Sequence, residues 1–293
     1  MNLYNDMAAI CREKLIVAGY SPGANNTSED DLLDYLRVAR RRIEARARSV
    51  HVAAGLTCPE NLQAGFEAIK AAASAGQSLR PYQSKRVADA DYEDSLLNAW
   101  DVHHFHLGTT ITGGWAARTG PLLFARLTER DLYCIAVLPH GSWTQQQLIA
   151  TLHDNWPETI EMFRMKGVDG LAHQVSDDDL KALRKANINS ATEVAPGVVY
   201  MTPGLGAMLD GTSTWAMMSK LTLKRMCAEL ERQVRVSLSD PGSSISSALT
   251  ANGIDPAYAD FTLMFDGTNA LLRERSTHVA LNIGPQFAVP PID

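Results

Sequence analysis

Asp101-Val102-His103-His104-Phe105-His106-Leu107-Gly108 gathers three of the chain's eight histidines into one short apolar run. Side chains alternate between the two faces of a strand. His104 and His106 therefore share a face with Val102, and His103, Phe105 and Leu107 take the other. Imidazole is the side chain whose ordinary pKa, ~6.5, keeps both protonation states in use near neutral pH. Two imidazoles on one strand face suit proton transfer, phosphate binding or metal ligation. The plainer alternative is a core strand whose histidines bond to backbone groups.

Downstream, the Gly-rich TTITGGWAARTG leads into a second strand at Pro121–Leu127. The turn Thr128-Glu129-Arg130-Asp131 is too short for anything but an antiparallel hairpin with a third strand at Leu132–Leu138. Ser142 and Gln145 have the spacing of a capping box, opening a helix through Leu148, Ile149 and Leu152 that Trp156-Pro157 ends. Upstream, the first hundred residues read as helices. Ser28 is an expected N-cap, followed by an apolar stripe of Leu32, Leu36, Ala39, Ile43, Ala47 and Val50. Pro59 opens a second helix with the stripe Leu62, Phe66, Ile69 and Ala73. A third runs from about Asp89 to Trp100.

Beyond residue 160 the signals mix. Ser176 with Asp179 caps a short helix, Val198–Met201 is a strand, and a long helix spans Trp215–Val236 with the stripe Leu223, Cys227, Leu230 and Val234. A hairpin around Asp266-Gly267-Thr268-Asn269 and a strand at His278–Ile283 close the chain. The expected fold class is α+β, with N-terminal helices packed on a central antiparallel sheet and a mixed α/β C-terminal half. The pattern divides as a helical region at 1–100, a sheet core carrying the histidines at 101–160, and an α/β region at 161–293. No linker marks the last boundary, so one domain also fits.

A chain of 293 residues with 45% hydrophobic and 20% charged residues has the composition of an ordinary globular protein. No apolar stretch approaches the roughly 18 residues of a membrane span, and charges occupy the N-terminus where a signal peptide has its apolar core. The expected compartment is the cytoplasm, with no membrane partner. Cys11, Cys58, Cys134 and Cys227 lie far apart without CxxC spacing, which argues against disulfides and a zinc knuckle. A net charge of −6 argues against broad coating of nucleic acid and leaves a locally basic site open.

His104 and His106 on the first strand, Arg118 and Arg126 on or before the second, and His140 just past the third fall within side-chain reach in an antiparallel sheet. RNA cleavage through the 2′-hydroxyl needs that set. One imidazole takes the 2′-OH proton, another protonates the leaving 5′-oxygen, and arginine stabilises the added charge, with no metal or other cofactor. The alternative for Arg126 is a solvated hairpin surface. Arg37, Arg40, Arg41, Arg42, Arg46 and Arg48 make the one concentrated basic stretch. Of these, Arg37, Arg41, Arg42 and Arg48 are the candidates to grip a phosphate backbone, with Trp143 as a base-stacking ring. The competing view is a solvated helix face balanced by Glu29, Asp30, Asp31 and Asp34.

The stretch from HHFHLG through RTGPLLFARLTERDLYCIAVLPHGSW, with its flanking helices, resembles the RelE-like messenger-RNA interferases of the barnase/EndoU/colicin/RelE ribonuclease fold. The resemblance spans roughly residues 88–156. It places His104 and His106 where that family carries basic residues on its first long strand, Arg118 or Arg126 near its second-strand arginine, and His140 near its post-strand basic residue. What it implies is a bacterial or phage toxin or defence effector that cleaves RNA and is held in check by a neutralising protein. This chain differs in being longer and acidic, in using histidines where the family favours Lys, Arg and Tyr, and in its C-terminal half, which has no counterpart there.

Two further classes compete. A non-catalytic interaction protein keeps the scaffold and tolerates loss of the histidines. A metal-dependent hydrolase uses His104 and His106 as a zinc pair, with His140 or His153 and Asp101 or Asp154 completing the site. A two-histidine phosphoesterase fails because His106-Leu107-Gly108 and His278-Val279-Ala280 lack the phosphate-binding hydroxyl. A histidine triad fails at Val102. Met201–Gly206 fails as a nucleotide loop because Leu209 stands where the third glycine belongs.

Overall fold

The computed structural model describes residues 1–266, 269–277, 279–284 and 289–292. The elements run α1 (Leu3–Val17), α2 (Ser28–Arg41), β1 (Ser49–Val52), α3 (Gln63–Ser74), α4 (Ser95–Trp100), β2 (His103–His106), β3 (Ile111–Thr112), β4 (Trp115–Ala116), β5 (Pro121–Leu127) and β6 (Asp131–Pro139). They continue with α5 (Gln147–Asn155), α6 (Asp177–Lys185), β7 (Thr192–Ala195), β8 (Val198–Tyr200), α7 (Thr214–Ser239), α8 (Ser244–Ala251), β9 (Phe261–Asp266), β10 (Asn269–Glu274) and β11 (Ala280–Gly284). The class is α+β, as expected. Two compact units divide the chain: Met1–Arg40, Asp89–Asp91 and Ala216–Asp293 form one, and Arg41–Ala88 with Tyr92–Trp215 form the other.

In the first unit, α1 buries Leu3, Met7, Cys11 and Leu15 at four-residue spacing, one face of a helix. α7 buries the expected stripe of Leu223, Cys227, Leu230 and Val234. The sheet β11-β10-β9 is antiparallel, and the Leu263 N–H donates to Asp6 Oδ2 at 3.1 Å. Gly267, Thr268 and His278, parts of the expected hairpin turn and final strand, lie outside the described residues.

The second unit is built on a four-stranded sheet of order β1-β6-β5-β2. The β5–β6 hairpin and its antiparallel pairing with β2 follow the sequence pattern. Three expectations need correction. The sheet is mixed, because Ser49–Val52 pairs parallel with β6. The run from Leu32 through Val50 is not one helix: α2 stops at Arg41, whose carbonyl accepts the Gln83 side-chain amide at 3.1 Å. The chain then extends to cover the free edge of β6. Finally, the histidine strand, expected at the centre of the sheet, is its edge strand β2.

Helix starts shift locally as well. Thr27 precedes α2 and caps it through Asp30 N–H and its own bond to Asp30 Oδ2. The Ser142 box does not form, because Gly141 sits at φ 102° and the Ser142 N–H bonds to Pro139 O. Those residues are spent in a turn, and α5 starts at Gln147. The Ser176–Asp179 box does form.

Alternation along β2 splits the core in two. Phe105 and Leu107 pack with Phe66 and Ile69 of α3 and with Leu123 and Ala125, the helical layer the alternation demands. Val102, Leu122 and Phe124 pack with Leu148, Ile149 and Leu152 of α5. Gly65 makes the first contact close. A Cβ there would run into the carbonyl of Leu107, so only glycine lets α3 lie this near the end of β2.

Candidate functional site

His104 lies opposite Phe124 and His106 opposite Leu122, which puts both imidazoles on the α5 side of the sheet. β6 ends at Pro139, level with Pro121 at the start of β5, and so delivers His140 to the same end. The turn after it returns Trp143 over the strand. The Trp143 ring is 4.7 Å from His104, 5.1 Å from His140 and 5.6 Å from Phe124. One indole thus bridges a largely covered histidine and an exposed one.

His106 is only 4% exposed. The Thr119 N–H donates to its Nδ1 at 3.2 Å, so that nitrogen is an acceptor and the neutral ring carries its proton on Nε2. Burial, then the positive charge of Arg118 and the other two imidazoles, push its pKa down to about 4. His106 is therefore a neutral hydrogen-bond donor at physiological pH.

His104 has a different neighbour. Asp94 caps α4, and its Oδ1 accepts from the N–H groups of Leu96 and Leu97 at 3.1 Å each. Its Oδ2 is left 3.9 Å from His104 Nδ1, which is too far for a hydrogen bond. That buried Nδ1 has no hydrogen-bond partner. Burial lowers the His104 pKa, with His140 adding to the effect and the Asp94 carboxylate opposing it. A carboxylate can only accept, so the favoured tautomer points N–H at Asp94 and leaves Nε2 as the basic nitrogen.

The sequence pattern did not reveal two members of this group. Asp94 was hidden inside an expected helix, and the Asp-x-x preceding Leu97 was its one signal. Arg184 comes from α6, far along the chain. Its Nη1 donates to the Trp143 carbonyl, and its guanidinium lies 3.9 Å over the Trp100 ring. Its Nη2 is buried without a hydrogen-bond partner. Burial lowers its pKa to about 10, while Asp177 and Asp94 hold it up. It is a cation at any working pH.

The structure thus brings together His104, His106, His140 and Trp143, with Arg118 exposed at the rim on the loop before β5. Arg126 is elsewhere. It stands opposite Tyr133 at the far end of β5, and its Nη2 is 3.1 Å from Asp101 Oδ2. The arginine-rich stretch does not form one helical face. Arg37 pairs with Asp34 at 2.9 Å, Arg41 is buried with its guanidinium 5.3 Å from the Tyr92 ring, and Arg42 is half-buried. Arg48 spends its donors on the carbonyls of Thr128, Glu44 and Arg46.

Two of the side chains expected to complete a zinc site are engaged elsewhere. His153 Nδ1 is 2.9 Å from the Tyr200 hydroxyl, and Asp101 holds Arg126. Among the described residues, no group of three His, Cys, Asp or Glu side chains is placed to hold a metal. Among the same residues, no helix is long and apolar enough to cross a membrane. The chain matches no family model, no curated protein and no solved structure.

Proposed function

We propose that the second unit is a metal-independent ribonuclease centre that cleaves RNA through the 2′-hydroxyl. The observation that carries this reading is the placement of three imidazoles at one end of one sheet face, each in a different setting. His104 has a basic Nε2 backed by Asp94, His106 offers an N–H fixed by Thr119, and His140 is exposed at the rim. In the step proposed, His104 Nε2 takes the 2′-OH proton as the 2′-oxygen attacks phosphorus. Protonated His140 gives its proton to the departing 5′-oxygen, leaving a 2′,3′-cyclic phosphate and a 5′-hydroxyl. The His106 N–H and the Arg118 guanidinium bind the non-bridging oxygens as charge builds on them. Asp94 and Arg184 are positioning residues, the first for His104 and the second for the Trp143 turn. The long Asp94–His104 separation is of the kind that tightens when substrate closes a site.

The chain would then act on cellular RNA in the cytoplasm, as a toxin or defence effector with a neutralising protein. The competing reading, an interaction protein on the same scaffold, draws on the burial of His106 and its backbone bond, which a purely structural histidine would also have. Full-length protein with mixed RNA, at several pH values and with or without chelator, separates the classes. The ribonuclease reading expects cyclic-phosphate ends, a bell-shaped pH profile, indifference to chelator, and a loss of roughly 10²-fold or more in His104→Ala. Activity abolished by chelator and restored by zinc makes it a metal hydrolase. Absence of cleavage, with His104→Ala folded and indistinguishable from wild type, favours the interaction protein.

A further inference from the structure

The same sheet face carries a second ring cluster at its other end. The His51 ring of β1 lies over Tyr133 of β6, centroids 4.9 Å apart and planes 17° from parallel. Trp156, the C-cap of α5, is 5.0 Å from Tyr133 and 6.4 Å from His51, edge-on to the latter. Tyr133 is buried, whereas 40% of the His51 side chain is exposed. The imidazole therefore has one face on the phenol ring and much of its surface in water.

The ring is also held in place. His51 Nε2 is 2.9 Å from Asp131 Oδ1, and because a carboxylate only accepts, a neutral imidazole donates Nε2–H there and keeps Nδ1 as an acceptor. Asp131 is anchored in turn by the Thr128 hydroxyl at 3.3 Å. Opposite Tyr133 on the next strand is Arg126, its side chain nine-tenths buried and its Nε without a hydrogen-bond partner. Its charge counters the carboxylates of Asp131 and Glu158 around the Tyr133 hydroxyl. A ring placed only to fill space at the edge of a sheet needs neither a carboxylate to fix its plane nor an open face.

We infer that His51, Tyr133 and Trp156 form a base-stacking subsite for single-stranded RNA. The inference rests on the ribonuclease reading for the identity of its ligand. Stacking suits the geometry because every nucleobase offers a flat π-face, whatever its hydrogen-bonding edge. A pre-oriented ring loses little freedom when a base settles on it. The spacing suits it too. Trp143 precedes α5 and Trp156 caps it, so the two ring clusters bracket a helix of nine residues, about 14 Å long. A strand cleaved at the histidines would reach the second cluster within a few nucleotides.

The test is binding of a 2′-O-methyl RNA hexamer, which cannot be cleaved through the 2′-position, to the full-length chain by fluorescence anisotropy. A matched hexamer with abasic sites serves as control. His51→Ala is expected to weaken binding of the base-bearing probe by about tenfold and to leave the abasic probe unchanged. His51→Phe, which keeps a flat ring without the Asp131 bond, should stay within about twofold of wild type. Equal affinity in His51→Ala and wild type, equal sensitivity of both probes, or no binding by wild type overturns the subsite. The two proposals fail separately. Binding that depends on His51 in a protein that cleaves no RNA retains the subsite and removes the ribonuclease. Cleavage that depends on His104 with His51→Ala binding normally does the reverse.

Discussion

Acid should destabilise the second unit through His106, and the size of the effect follows from its surroundings. In the unfolded chain this imidazole titrates near 6.5, whereas in the fold it titrates at about 4. Between those values the unfolded state binds the proton and the native state does not. Stability therefore falls as pH drops from about 6.5, and the loss is complete below about 4. The difference corresponds to about 3 kcal/mol at most. The exposed Arg118 and His140 leave water at the rim to screen the charge, so about 1–2 kcal/mol is the expected loss. His106→Asn isolates it, because Asn Oδ1 stands near the place of Nδ1 and can accept from Thr119 N–H without titrating. Urea unfolding of both proteins at pH 7.5, 6.5, 5.5 and 4.5 gives the comparison, with His104 and the carboxylates contributing to both curves. Wild type should lose more than the variant across that range. Parallel curves, or a His106 Cε1–H resonance titrating near 6.5, would refute the reasoning.

Three more outcomes follow from contacts in the same unit. Arg126→Ala should cost about 2 kcal/mol by removing the cation that pairs with the mostly buried Asp101, seen in denaturant midpoints, with cleavage per folded molecule within about twofold of wild type; a folded variant that has lost turnover returns Arg126 to the active centre. Gly65→Ala should cost about 1–3 kcal/mol by driving a methyl into the Leu107 carbonyl. A melting temperature at or above wild type would show that α3 is free to retreat. His103 faces away from the centre beside Phe105, at 6.2 Å between rings, so His103→Ala should keep its activity where His104→Ala loses roughly 10²-fold or more. Equal losses in the two variants would mean that strand integrity, not imidazole chemistry, is being measured.

The meander was legible because its signals are local. Alternation in β2 assigned His104 and His106 to one face, and the four residues from Thr128 to Asp131 left β5 and β6 only one way to pair. β1 was hidden because its partner is remote. Ser49-Val50-His51-Val52 is too short to announce a strand, follows a helical arginine run, and meets β6 without a connecting turn. Arg126 shows a second limit. Its strand was right, but register decides which end of a face a side chain serves, and here it sets Arg126 opposite Tyr133, away from His140. Asp94 and Arg184 reach His104 and Trp143 from elements whose packing no periodicity reports.

Strand β1 also bears on how this unit is assembled in time. β2, β5 and β6 close through nearby turns, but His51 must find Asp131 across 80 residues, a loop whose closure costs entropy before any contact rewards it. The hairpin is expected to form before β1 docks, since distant pairings are the slow ones. A chain emerging from the ribosome has made β1 and α3 well before β6 exists to receive them. Paired with β6 alone along its length, β1 is a short edge strand of the kind that opens locally, and its release would uncover the backbone edge of β6 and take His51 away from Tyr133 and Trp156 together.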